Sequence, residues 1–232
     1  MVKQWGIPKE PEFLKPEEIR MFINACKRDR DRLVLETLWQ TGGRLTEVLS
    51  LTPEQVGDNS IILKNLKQRK GKVDYKKVIV SEDLCVILKA YIKEQRILET
   101  TFIFSGNRDP NKQLDSLYVW RLITKIGAEL GIRRWKSSRW KKGTKECECE
   151  GALEGCPICH GTGKVPGKGK PGFWPAWPHL FRHSCAMHIL EMTGSTELTQ
   201  KQLGHSSIIT TQAYARVKEL DAEKKLSGID WK

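Results

Sequence analysis

Residues 179–217 read HLFRHSCAMHILEMTGSTELTQKQLGHSSIITTQAYARV, and this stretch decides how the rest of the chain is interpreted. Leu180, Cys185, Ile189 and Leu190 recur at helical spacing, a shorter helix is predicted over residues 197–203, and a further helix carries Tyr214. His179 and Arg182 fall one turn apart on the first helix. A Leu203-Gly204-His205 turn follows the second. Together these residues supply what a phosphate site requires. Arginine is a planar, permanently charged fork for phosphate oxygens. Histidine can donate to the same oxygens or move protons near neutral pH. A tyrosine beside cations can act as a covalent nucleophile.

Upstream, the chain offers a second arginine in a suitable place. Pro16-Glu17-Glu18 opens a helix with Ile19, Phe22, Ile23 and Cys26 on one face. A second helix is predicted over 30–40, burying Leu35, Leu38 and Trp39, and Thr41-Gly42-Gly43 breaks it. Arg44 follows that turn and starts a helix over 44–51, with Glu47 one turn on and Val48 and Leu51 turned inward. Residues 60–66 and 78–80 are β-branched and apolar, and the lysine-rich KQRKGKVDYKK between them makes a hairpin loop. Helices are predicted over 82–96, burying Leu84, Ile87, Leu88, Tyr91 and Ile92, and over 116–130, burying Leu117, Ile123 and Ile126. Residues 1–12 read as a loosely held arm.

Taken singly, each candidate has an ordinary structural role open to it. Arg44 could serve only as the ion-pair partner of Glu47. His179 could cap a helix or sit satisfied in the core, and Tyr214 could be a packed aromatic.

The totals narrow the partner. With 232 residues, 39% of them hydrophobic, the chain can bury a sizeable core. Forty Lys and Arg against 28 Asp and Glu give a net charge of +12, which suits a polyanion. No secretory leader and no apolar run of membrane-spanning length is seen, so nucleic acid is favoured over a membrane surface, and a cytoplasmic, DNA-associated location is expected.

The order of three local motifs resembles the tyrosine recombinases (phage integrases and Xer-type recombinases). Thr41-Gly42-Gly43-Arg44-Leu45-Thr46-Glu47, with Leu49 and Leu51, is similar to that family's first arginine box. His179-Leu-Phe-Arg182-His183-Ser184 is similar to its His-x-x-Arg box. Leu203-Gly204-His205-Ser206-Ser207, with Thr210, Thr211 and Tyr214, is similar to the box of its last histidine and nucleophilic tyrosine. The resemblance implies an α+β, mainly α-helical catalytic domain with a small antiparallel β-sheet, extending over residues 13–232. It implies that Arg44, Arg182 and His205 hold a scissile phosphate, that Tyr214 attacks it to leave a 3′-phosphotyrosyl link, and that His179 assists the proton. Glu47 would support the framework. The family's general-acid lysine lies in a hairpin loop, which points to Lys67, with Lys70 and Lys72 as competitors. Catalysis would need no cofactor or divalent metal. Double-stranded DNA would be the partner, and a homo-oligomer, a synaptic tetramer, the working assembly. A catalytically idle DNA-binding protein of the same descent and a type IB topoisomerase-like enzyme are the competing readings. The family's usual N-terminal DNA-binding domain is not seen ahead of residue 13.

From Arg133 the composition turns to lysine, glycine, proline and cysteine, without strand or helix periodicity, and residues 135–178 read as an insertion. Four of the seven cysteines, Cys147, Cys149, Cys156 and Cys159, crowd into it. Such a cluster reads as a metal site before a disulfide, and four thiolates suit tetrahedral zinc. Unligated thiols in a reducing compartment are the alternative, and His160 is a substitute ligand. Cys156-Pro-Ile-Cys159-His160-Gly161-Thr162-Gly163 is similar to the zinc knuckle of DnaJ-type chaperones. Basic residues flank the cluster, Arg139, Lys141 and Lys142 among them, and with Lys70 and Lys72 they are the candidate DNA contacts.

Overall fold

The structure, a computed structural model, describes residues 13–65, 74–106, 109, 111–136, 144–146, 164–166 and 172–204. Its contacts divide into two units, residues 1–122 with 177–232, and residues 123–176.

The first unit is built on α1 (Pro16–Ala25), α2 (Asp29–Thr41), the short α3 (Leu45–Leu49), α4 (Glu82–Glu94), α6 (Pro178–Thr193) and α7 (Thr196–Leu203). Residues 116–122 of α5 (Ser116–Glu129) belong to it as well. Several helix boundaries have a local cause. Pro16 occupies the first turn of α1, where its missing N–H costs nothing, and Glu18 reaches back to accept from the Lys15 amide at 2.9 Å. Ser81 and Ser195 cap α4 and α7 by accepting from Leu84 and Leu198. Gly42, Gly194 and Gly204 end α2, α6 and α7 in the left-handed conformation.

Ile19 and Phe22 of α1, Val34, Leu35 and Leu38 of α2, and Leu180 and Phe181 of α6 form the buried seam of this unit. Phe22 meets Phe181 edge to face, with ring centroids 5.7 Å apart. Ser184 closes the seam by accepting from the Leu14 amide at 2.6 Å and donating to the Leu180 carbonyl at 2.7 Å. Tyr118 on α5 donates to the buried Asp31 carboxylate at 2.7 Å, and Arg30 lies over the Tyr118 ring.

Strand β1 (Ser60–Asn65) pairs antiparallel with β2 (Asp74–Ile79), in a register from Ser60 opposite Ile79 to Asn65 opposite Asp74. The expected second strand therefore begins earlier. Asp74, Tyr75, Lys76 and Lys77, read from sequence as hairpin loop, are strand. Lys76 shares the inward face with Val78 and Val80, while Tyr75, Lys77 and Ile79 are exposed. Two burial expectations also fail. Ile87 is 53% exposed and Leu117 47% exposed, because α4 buries the Leu84–Cys85–Leu88 stripe and α5 buries Val119, Ile123 and Ile126.

In the second unit, β3 (Arg133–Lys136) pairs with β6 (Gly172–Pro175), and β4 (Thr144–Glu146) with β5 (Lys164–Pro166), both antiparallel. The inserted stretch thus contains strands that its composition concealed. They are three or four residues long, too short for alternation to show, and each pairs with a partner distant in sequence. No helix among the described residues is long and apolar enough to cross a membrane.

The Phe22–Phe181 contact joins the α1 and α6 layers, so Phe22→Ala is expected to cost about 3–5 kcal/mol of stability, measured as a drop in the urea midpoint with an unchanged slope.

Candidate active site

The site grows out of the break between α2 and α3. Gly42 has φ of +57°, and a Cβ there would lie 2.5 Å from Leu203 Cδ2 and 2.9 Å from Cys185 Sγ. Only glycine lets α6 and α7 close onto this turn. The close approach puts the Gly42 carbonyl within reach of Arg182, whose guanidinium donates to it and, at 3.0 Å, to the Leu203 carbonyl. Arg182 is 4% exposed, so these carbonyls fix its plane in a water-poor setting.

Arg44 enters from the other side of the same turn. Its amide donates to Glu47 Oε2 at 3.1 Å and its guanidinium donates to Oε1 at 2.5 Å. The ordinary role considered for Arg44, pairing with Glu47, is therefore real. It does not exhaust the residue, since 28% of the side chain remains open to solvent beside a carboxylate that is completely buried.

Lys76 completes the cluster, and sequence reasoning missed it. Its Nζ lies 3.4 Å from Glu47 Oε2 and donates to the Leu203 carbonyl at 3.0 Å, with only 13% of the side chain exposed. The available signal was the alternation Lys76, Val78, Val80, which sets a lysine on the buried face of β2. Gln202 adds a second tie between α7 and this strand. Its amide accepts from Ile79 N at 3.1 Å and donates to Ile79 O at 2.7 Å, as a neighbouring strand would.

His179 stands at the exposed start of α6, its ring edge to face with His183 at 5.6 Å. Partial burial, then the charges of Arg182 and Arg44, lower its pKa below the usual imidazole range, against the pull of Glu47. The ring is therefore neutral at pH 7 and able to accept a proton. Burial raises the Glu47 pKa, but Lys76 and the bonds and charge of Arg44 outweigh it and leave the group a carboxylate below its ordinary range. The nearby thiol of Cys185 is pushed up to about 12 by burial and is chemically quiet.

The structure places His179 within the electrostatic reach of Arg44, Glu47 and Arg182. His205, Tyr214, Lys67, Lys70, Lys72, Arg139, Lys141, Lys142, Cys147, Cys149, Cys156, Cys159 and His160 lie outside the described residues. Among the described residues no cluster of three or more His, Cys, Asp or Glu could hold a metal.

A mainly helical unit with a two-stranded antiparallel hairpin thus sets Arg44 and Lys76 on one buried carboxylate, with Arg182 bonded to the Gly42 and Leu203 carbonyls beside them. The chain belongs to the Phage integrase family, which it matches over residues 12–141 and 169–220. It is 27% identical over 215 residues to tyrosine recombinase XerA of Pyrococcus furiosus, covering 91% of this chain and 59% of that protein. It is 24% identical over 229 residues to tyrosine recombinase XerD of Staphylococcus aureus, covering 93% of this chain and 61% of that protein. The chain therefore spans about three-fifths of the length of these relatives. Among solved structures, its fold is similar to XerA recombinase, with a TM-score of 0.61 and 22% identity over 94% of this chain and 66% of that one. It is also similar to XerH site-specific recombinase bound to its palindromic difH substrate in a post-cleavage complex, with a TM-score of 0.64 and 20% identity over 98% of this chain and 56% of that one.

Removing the carboxylate would strand Lys76 and Arg44, so Glu47→Gln should lose about 3 kcal/mol at pH 7. A depressed folded-state pKa means the stabilisation is complete above the unfolded carboxylate value of about 4.3 and is lost as pH falls through the folded value. Urea midpoints of the two proteins should accordingly converge in acid.

Proposed function

We propose that this chain cleaves and rejoins duplex DNA at specific sites, through a covalent link between Tyr214 and a 3′-phosphate. The observation that carries the reading is the charge balance around Glu47. Arg44, Arg182 and Lys76 give three cations about one carboxylate, with His179 neutral, leaving a local surplus suited to a phosphodiester whose charge grows during attack. Family membership supports it, as do the names of the XerA and XerD relatives.

The roles follow from the chemistry. Arg44 and Arg182 bind the non-bridging oxygens, with His205 as a third donor. The Tyr214 phenol gives up its proton as its oxygen bonds to phosphorus, and neutral His179 is suited to assist that transfer. The bond from phosphorus to the 5′-oxygen breaks, and Lys67 protonates the leaving alkoxide, with Lys70 and Lys72 the competing donors. Attack by a 5′-hydroxyl on the phosphotyrosine reverses the steps and reseals a strand. The residues need no external energy source, because the phosphotyrosine keeps the bond energy. A homotetramer on paired DNA sites is the assembly proposed for exchange.

Incubation with a nicked suicide duplex should give a protein–DNA adduct that survives denaturing electrophoresis and disappears with Tyr214→Phe. An undiminished adduct in that variant sinks the nucleophile assignment. No adduct from the native chain favours the idle DNA-binding reading, and relaxation of supercoiled DNA without a second site favours the topoisomerase reading.

We further propose that Cys147, Cys149, Cys156 and Cys159 bind one structural zinc in a basic insertion over 135–178 that contacts DNA through Arg139, Lys141 and Lys142. The family match skips residues 142–168, where all four cysteines lie, which supports an element added to the catalytic domain. Metal analysis should find about one zinc per chain. Its removal by a chelator should weaken DNA binding; affinity and melting unchanged in zinc-free protein would overturn the proposal.

A further inference from the structure

We infer that Lys76 is a positioning residue, which ties the β1–β2 hairpin to the Leu203–Gly204 turn and thereby holds the end of α7 against Glu47 and Arg182. The inference rests on the proposed strand-cleavage reaction for its catalytic consequence, while the tie itself is independent of it.

Three observations carry it. Lys76 makes one contact in each of two directions, to Glu47 on α3 and to the Leu203 carbonyl at the end of α7. The Leu203 carbonyl is shared, because Arg182 donates to it as well at 3.0 Å. One oxygen is therefore held by a cation from β2 and a cation from α6. Finally, Gly204 is built around the lysine: a Cβ at that glycine would lie 2.8 Å from Lys76 Cδ. The lysine stem fills the space beneath the turn, and His205 is the next residue.

The contacts also exclude simpler accounts. A surface lysine would be solvated and contribute little, whereas this one is nearly buried and faces Glu47 and Arg44 from α3 and Arg182 from α6. Burial is the strongest influence on its proton and lowers its pKa, opposed by Glu47 and reinforced by Arg182 and Arg44. Such a cation is retained against its own desolvation only by the carboxylate and carbonyl it holds. Gln202 grips Ile79 of the same strand, so the α7 end is fastened to β2 at two points, and Lys76 is the one that reaches the catalytic cluster.

Two measurements test the assignment in the full chain, using Lys76→Met and the exposed neighbour Lys77→Met as control. The first is hydrogen exchange of peptides covering residues 200–207, which needs no activity. Lys76→Met should raise exchange there about tenfold, while peptides from α1 and α6 and the Lys77→Met control stay at native rates. The second is single-turnover cleavage of the suicide duplex. Lys76→Met should slow adduct formation about ten- to a hundredfold at saturating DNA, with the DNA dissociation constant changed less than about threefold, as expected of misplaced rather than missing groups. A duplex with sulfur in place of the 5′-bridging oxygen separates positioning from acid catalysis, since a thiolate leaves without a proton. That substrate should rescue Lys67→Met and not Lys76→Met. Native exchange at 200–207 in Lys76→Met overturns the tie. Rescue of Lys76→Met by the sulfur substrate makes it the proton donor instead and overturns the positioning role. Absence of adduct from the native chain removes the cleavage reading, and the exchange result then decides the tie alone.

Discussion

The buried carboxylate of Glu47 is the interaction on which the site depends. A carboxylate removed from water is tolerated only with cations and donors around it. Glu47 obtains them from its own helix start, through the Arg44 amide and guanidinium, and from a neighbouring strand, through Lys76. That arrangement fixes one arginine, anchors a hairpin, and draws the end of α7 inward through the Leu203 carbonyl. Arg182 then joins from α6, held by the same carbonyl and by Gly42. Arg182 and Gly42, 140 residues apart in the chain, are thereby joined.

This arrangement bears on how a phosphodiester would be received. Both arginines are oriented before any ligand arrives, so little reorganisation is required of them. Their settings differ, however. Arg44 is partly open to solvent, whereas Arg182 is sealed beneath the chain. A neutral His179 beside two guanidinia is a consequence of the same field, which disfavours a further positive charge on the ring.

Much of this was readable from the chain itself, for identifiable reasons. Helix starts at Pro16 and Arg44 and the end at Gly42 carry local signals, so α1, α2 and α3 could be placed, and with them Arg44 and Glu47. His179 and Arg182 could be paired because three residues make nearly one helical turn. Lys76 escaped notice because a charged residue on the inward face of a strand looks like part of a loop until the register is known. Ile87 and Leu117 were assigned to the wrong side because α4 and α5 carry apolar residues wider than one stripe, and packing partners choose between them. The short strands of the second unit pair across long sequence distances, and no local pattern announces such pairing.

Gly42 also limits the sizes of its neighbours. The turn, Cys185 and Leu203 already share a space with no room for one more carbon atom. A larger side chain at 185 would therefore have to displace the α2–α3 turn or the end of α7, and either movement shifts a carbonyl that holds Arg182. A shorter one would leave a void against the same turn. The geometry of a charged cluster is in this way governed by the volume of two uncharged side chains.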